Sequence, residues 1–141
     1  MFVFDTDHLG ILQHQSTPEC QRILRRMQAY SDEDFHVPIV SFHEETLGWQ
    51  AYLARAKDAA AVVRAYGRLQ RILTDFAEAQ VLPFDAAASH LFDQMRAQRV
   101  RIGTMDLRIG CIAVANQFTL LTRNQSDFGK VPGLRIEDWT V

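Results

Sequence analysis

MFVFDTDHLG, residues 1–10, is the stretch on which the fold turns. Three apolar residues, Phe2–Phe4, run straight into Asp5, and Asp5-Thr6-Asp7 then lead into a short helix that either aspartate could cap. Asp5 is thereby placed at the carboxyl end of a first strand, where open parallel sheets hold their ligands. Further strand-like stretches follow at Phe35–Val40, Val81–Phe84, Thr119–Leu121 and Leu134–Ile136, and helical patterns fill most of the gaps. The alternation predicts an α/β fold with a mainly parallel central sheet.

The helix signals are local. Ser16 with Glu19 reads as a capping box with Pro18 in the first turn, opening a helix to about Tyr30. Ser41 with Glu44 reads as a second box, opening a helix to about Arg55. From Asp58 to Ala79, Val62, Val63, Tyr66, Leu69, Leu73 and Phe76 recur at helical spacing. Asp85 caps a helix whose apolar side includes Ala88, Leu91, Phe92 and Met95. Beyond Gly103-Thr104, Met105, Ile109, Ile112 and Ala113 mark the buried face of another. The two long central helices are expected to form a hairpin beside the sheet.

Composition sets the bounds. With 141 residues, 48% hydrophobic and 23% charged, the chain reads as one domain over 1–141, long enough to bury a core without disulfides or a structural metal. Cys20 and Cys111 lie far apart in helical segments, Met1 leads directly into an apolar strand, and no apolar run reaches the ~20 residues of a membrane span. The expectation is a cytoplasmic protein. The net charge of −2 argues against a molecule that is basic overall, and so against tight nonspecific binding of nucleic acid. Lys57 and Lys130 are the only lysines, leaving arginine, the better bidentate phosphate ligand, to supply the remaining basic side chains.

Several acids share one kind of position. Glu44 follows the second strand, Asp106 lies in the first turn of the helix after Gly103, and Asn124 and Asp127 follow the fourth strand. In a parallel sheet these segments, with Asp5, can converge on one rim. Carboxylates so clustered repel unless cations sit among them, and hard oxygen ligands suit Mg²⁺ or Mn²⁺, which serve phosphodiester hydrolysis. Each acid also has a plainer explanation: Asp5 as an N-cap, Glu44 as part of its capping box, Asp106 as partner of a helix dipole with Thr104 its cap, Asp127 as a turn residue. Glu45 is expected to face solvent. His8, His14, His36, His43 and His90 show no metal-ligand spacing and are expected at the surface or hydrogen-bonded.

Three stretches carry a family resemblance. MFVFDTDHLGIL (1–12) resembles the first strand and helix of PIN-domain proteins, particularly VapC-type toxins. VSFHEETLGW (40–49) is similar to their second motif, and residues 102–139 resemble the C-terminal half of those toxins. The resemblance implies an RNase H-like α/β/α sandwich and a metal-dependent endoribonuclease, usually dimeric and silenced by an antitoxin partner. It implies Asp5, Glu44 and Asp106 as metal-binding acids, Thr104 as an accessory group, and Asp127 or Asn124 as the fourth ligand. Many members carry an acid where this chain has Asn124. Arg108 and Arg123 are candidate phosphate contacts near the acids. Two other readings compete: a PIN-like module that binds RNA or protein without cutting, and a haloacid-dehalogenase-type phosphatase using Asp5-Thr6-Asp7, for which Lys57 and Lys130 are poorly placed.

Overall fold

The structure, a computed structural model, describes all 141 residues. Five strands, β1 (Phe2–Phe4), β2 (Phe35–Pro38), β3 (Val81–Leu82), β4 (Thr119–Leu121) and β5 (Arg135–Glu137), form one sheet in the order β3-β2-β1-β4-β5. Every pairing is parallel, with Val3 opposite His36 on one side and Leu120 on the other. The chain steps outward from β1 through β2 to β3, then returns to the far side of β1 for β4. Between β1 and β4 the winding reverses, and this switch point is where open α/β sheets form a crevice at their carboxyl ends.

Seven helices complete the fold: α1 (Thr6–Gln13), α2 (Pro18–Met27), α3 (Ile39–Ala54), α4 (Ala59–Glu78), α5 (Ala86–Ala97), α6 (Thr104–Asn116) and α7 (Gln125–Phe128). Period-two alternation in β1 sends Val3 to one face and Phe2 and Phe4 to the other. Val3 and Leu120 join a core built mainly from α5 and α6, including Met95, Leu107, Ile109 and Ile112. Phe2, Phe4, Val37 and Leu121 join a second core with Ile23 of α2, Ile72 and Phe76 of α4, and Trp139. Two cores on opposite faces make the three-layer sandwich, and each large apolar side chain fully buried there contributes about 1.5–3 kcal/mol. The expected hairpin is α3 and α4, which run antiparallel: Phe42 meets Phe76, Arg68 lies over the Trp49 ring, and Arg64 donates to the Tyr52 hydroxyl.

Some local expectations are corrected. The cap of α2 is Thr17, whose hydroxyl accepts from the Cys20 amide, so Ser16 is not the capping residue and the helix ends at Met27. The second strand stops at Pro38. Helix α3 starts at Ile39 with no side-chain cap, which puts Ser41 inside the helix and dissolves the Ser41–Glu44 capping box. Gly103, not Thr104, occupies the cap position of α6. In α4 the buried stripe is Ala65, Ile72 and Phe76, whereas Val63, Tyr66 and Leu73 are 71%, 59% and 64% exposed. Two apolar stripes run along that helix, and the one through Ala65, Ile72 and Phe76 faces the core. Asp58 and Asp85 cap α4 and α5 as expected.

Adjacent residues of α4 give a direct check on this orientation. Ile72→Ala removes a side chain 5% exposed in the core and should cost about 2–4 kcal/mol in urea denaturation, whereas Leu73→Ala should stay within about 0.5 kcal/mol. Equal costs would mean that the helix is rotated from the orientation described.

Candidate acidic active site

Strand alternation fixes the first acid. Asp5, extended like the strand it follows, shares the Val3 side of the sheet and is 5% exposed. It is also the N-cap of α1: Oδ1 accepts from the His8 amide at 2.7 Å. Cap and site residue therefore coincide, the cap bond occupying one carboxylate oxygen.

Glu44 comes from the second turn of α3 and is held from across the fold. The Thr6 hydroxyl donates to Glu44 Oε1 at 2.8 Å. Because that uses Thr6's only proton, the 2.9 Å contact between Thr6 Oγ1 and Ser41 Oγ is a bond from Ser41 to Thr6. Ser41, fully buried, thus anchors a two-hydroxyl chain that aims Glu44. Nothing in the sequence marks this role, since Ser41 reads there as a helix cap and Thr6 only as part of Asp5-Thr6-Asp7.

Asp106 lies in the first turn of α6, half-buried, and its acidity registers the other acids. Burial first, and then the charges of Glu44, Asp5 and Asp127, together raise its pKa from the ordinary 3.8 to about 6. The charges of three other expected acids, Glu44, Asp5 and Asp127, are thus felt at Asp106.

Asp127 and Asn124 have distinct parts. Asn124 caps α7, its carbonyl accepting from the Asp127 amide and its amide donating to Asp127 Oδ2 at 3.1 Å. Lys130 reaches Asp127 Oδ1 at 3.3 Å. The Asn124 bond first, and the Lys130 bond next, hold the Asp127 carboxyl below its ordinary value, so it stays ionised. Asn124 in this arrangement orients the acid rather than replacing it.

Other expected residues fall elsewhere. Arg123 is bound to Asp7 through two hydrogen bonds of 2.6 and 2.8 Å, so its guanidinium is committed to an exposed ion pair. Asp7, the second acid of the phosphatase-like reading, is engaged there. Arg108 lies over the Phe92 ring at 5.5 Å. Thr104 lines a cleft that also reaches Asp127. Glu45 is half-buried rather than solvent-facing: burial raises its pKa, partly offset by a hydrogen bond from Gln13. His8 is neither at the surface nor hydrogen-bonded through its ring. It is wholly buried between Asp5 (3.5 Å) and Asp138 (3.9 Å). Asp5, Asp7 and His8 offer ligand atoms within 4.8 Å of one another, but the Asp7 oxygens are taken by Arg123 and the imidazole is sealed behind Asp5. The expected oxygen set of Asp5, Glu44, Asp106 and Asp127 is the candidate left for a cation.

No family profile matches the chain. A 64-residue stretch is 38% identical to the tRNA(fMet)-specific endonuclease VapC of Shigella flexneri, covering 43% of this chain and 48% of that protein. The protein of the same name from Salmonella typhimurium is 36% identical over the same length. The match thus spans about half the length of these curated relatives. Among solved structures, a chain of VapBC-1 from nontypeable Haemophilus influenzae superposes with a TM-score of 0.75 at 18% identity, covering 99% of this chain and 98% of that one. A chain of DNA-bound VapBC from Salmonella typhimurium gives 0.74 at 20% identity, covering 98% and 97%. One of FitAcB from Neisseria gonorrhoeae gives 0.72 at 21%, covering 99% and 98%. The fold is the VapC-type PIN fold.

The raised pKa of Asp106 predicts a pH-dependent stability. Below the unfolded value near 3.8 the group is protonated in both states and costs nothing; the penalty grows as pH rises and is complete above about 6. The shift would convert to about 3 kcal/mol in a fully buried group, and about 1–2 kcal/mol is expected at this half-exposed one after solvent screening. In chelator, Asp106→Asn should therefore melt above the parent at pH 7–8 and coincide with it near pH 4. A variant melting below the parent at pH 7 would show that the carboxylate stabilises the fold instead of straining it.

Proposed function

We propose that this chain, as one PIN-like domain, is an endoribonuclease that hydrolyses RNA phosphodiester bonds with divalent-cation assistance and serves as the toxin of a toxin–antitoxin pair. The observation that supports the reading is that Asp106 is raised by burial and by the charges of Glu44, Asp5 and Asp127, with Asp5 at the carboxyl end of the central strand beside the switch point. Four carboxylates in one crevice suit catalysis on a phosphate only if their charge is offset, and an all-oxygen donor set suits Mg²⁺ or Mn²⁺. The residues present fit such an ion.

When bound, the ion would acidify a water molecule and offset charge on the phosphate. The chain's own groups supply the orientation. The Ser41–Thr6 hydroxyl chain aims Glu44, the His8 amide holds Asp5, and the Asn124 amide turns Asp127. Such supporting bonds around ligating carboxylates typically matter 10–100-fold in metal affinity or activity, about the range expected for Thr6→Val.

A structured RNA is the proposed substrate, and tRNA is the first to try, because the relatives with local identity are named for that activity. An antitoxin partner is proposed because several chains of the same fold occur in VapBC assemblies and one in a complex named as toxin–antitoxin. A homodimer and a cytoplasmic location complete the proposal. No helix is long and apolar enough to cross a membrane.

Glu44→Gln is the most informative variant. Glu44 is not a helix cap, and glutamine keeps an oxygen to accept the Thr6 bond, so the variant should fold and melt close to the parent. Cleavage of tRNA should fall by at least about a hundredfold, and chelator should abolish it in the parent. A folded Glu44→Gln protein that cuts within a few-fold of the parent would remove Glu44 from the site. RNA left intact by the parent with either Mg²⁺ or Mn²⁺ would overturn the nuclease reading.

A further inference from the structure

Beside the acids, the end of α5, residues 98–103 and the start of α6 enclose a cleft of about 630 Å³ that reaches Thr104 and Asp127. Its walls carry Arg96, Arg99 and Arg101, three guanidiniums within six residues of a chain whose net charge is −2. All three residues are exposed, and none forms an ion pair; the cationic partners in this molecule's Lys and Arg bridges are Arg22, Arg71, Arg123 and Lys130. Charges left free on the wall of a concave surface are available to an anion.

Two of its features cost the fold something or restrict it. Arg99 has φ 62, the left-handed conformation, at the residue that closes α5: the Arg99 amide bonds Arg96 O and the Val100 amide bonds Met95 O. Glycine is the residue for which that position is free of strain. Arginine there makes sense where the side chain is needed. Arg96 lies over the Phe92 ring at 5.6 Å, which restrains its guanidinium at the cleft while leaving its N–H groups free to donate.

We infer that this cleft binds backbone phosphates of the RNA next to the bond being cut, with Arg96, Arg99 and Arg101 as the contacts. The inference rests on the nuclease reading for the identity of the strand, but it concerns a different set of residues. An RNA strand with one phosphate at the acids must carry its neighbouring phosphates out past the crevice. Thr104 and Asp127, shared by the cleft and the acidic site, make the two continuous. Repulsion between the acids and the phosphate diester is offset on this flank by fixed positive charge. An acidic peptide would satisfy the same charges and is the competing occupant.

The test uses the full chain, with binding of a fluorescent single-stranded RNA of twelve nucleotides followed in chelator across salt and cleavage of tRNA followed with Mg²⁺ or Mn²⁺. Arg99→Gly relieves the backbone and removes the charge. It should melt at or above the parent temperature yet bind RNA about fivefold more weakly near 0.1 M salt, and the slope of log affinity against log salt should fall by about 0.7. With Arg96→Gln and Arg101→Gln added, the slope should fall by about 2, and kcat/KM should fall with it. Arg25→Gln, at an exposed position of α2, is the control and should leave both unchanged. Parent affinity and slope in the triple variant, or an equal loss in the Arg25 control, would overturn the inference even if the parent cuts RNA. So would parent-like RNA binding together with lost binding of a poly-glutamate peptide. If instead the parent cuts nothing but the slope falls as stated, the cleft stands and the nuclease reading fails.

Discussion

Asp5 is a carboxylate kept 5% exposed at the end of the central strand, and much of the surrounding architecture answers to that charge. A parallel sheet covered on both faces leaves polar groups only its ends. β1 is the innermost strand, so its carboxyl end opens on the switch point and nowhere else. The α1 amide that Asp5 caps offsets part of the desolvation, and α6 then delivers a second carboxylate to the same crevice. The resulting strain is what the proposed function accounts for, because groups arranged for an incoming ligand are not arranged for the empty fold.

Much of this was legible in the sequence because the deciding signals are local. An apolar triplet ending in an acid, and aspartates just ahead of apolar-periodic stretches at Asp58 and Asp85, depend on neighbours a few residues away. The Ser41–Glu44 pattern was misread for the same reason: a serine three residues before a glutamate has the local form of a capping box wherever the helix begins. What starts α3 earlier is that β2 needs only four residues to pair, so Pro38 closes the strand and Ile39 already turns. The serine is then free to become a tertiary hydroxyl, and its bond to Thr6 joins positions 35 residues apart that no local pattern links.

Burial was harder to read than placement. α4 carries apolar residues on two stripes, and periodicity alone cannot say which one meets the core. Ala65 and Ile72 are covered because α4 lies against α3 and against the sheet face bearing Phe4 and Val37. His8 was missed on the same grounds, since its neighbours Asp5 and Asp138 come from opposite ends of the chain. The arginines at 96, 99 and 101 gave a signal that could have been used: three cations in six residues just ahead of an expected catalytic helix.

Parallel pairing of β1 with β4 also imposes an order in time. Val3 faces Leu120, so the strand made first has no partner on that side until most of the chain exists. At roughly 5–20 residues per second, β4 leaves the peptidyl-transferase centre roughly 6–25 seconds after β1. During that interval Asp5 is a free acid on an unfinished sheet, and Asp106 and Asp127 have yet to be joined to it. The acids at positions 5, 106 and 127 can therefore be joined only after α7 has been made, so the carboxyl rim of the sheet is among the last parts of this fold to be completed.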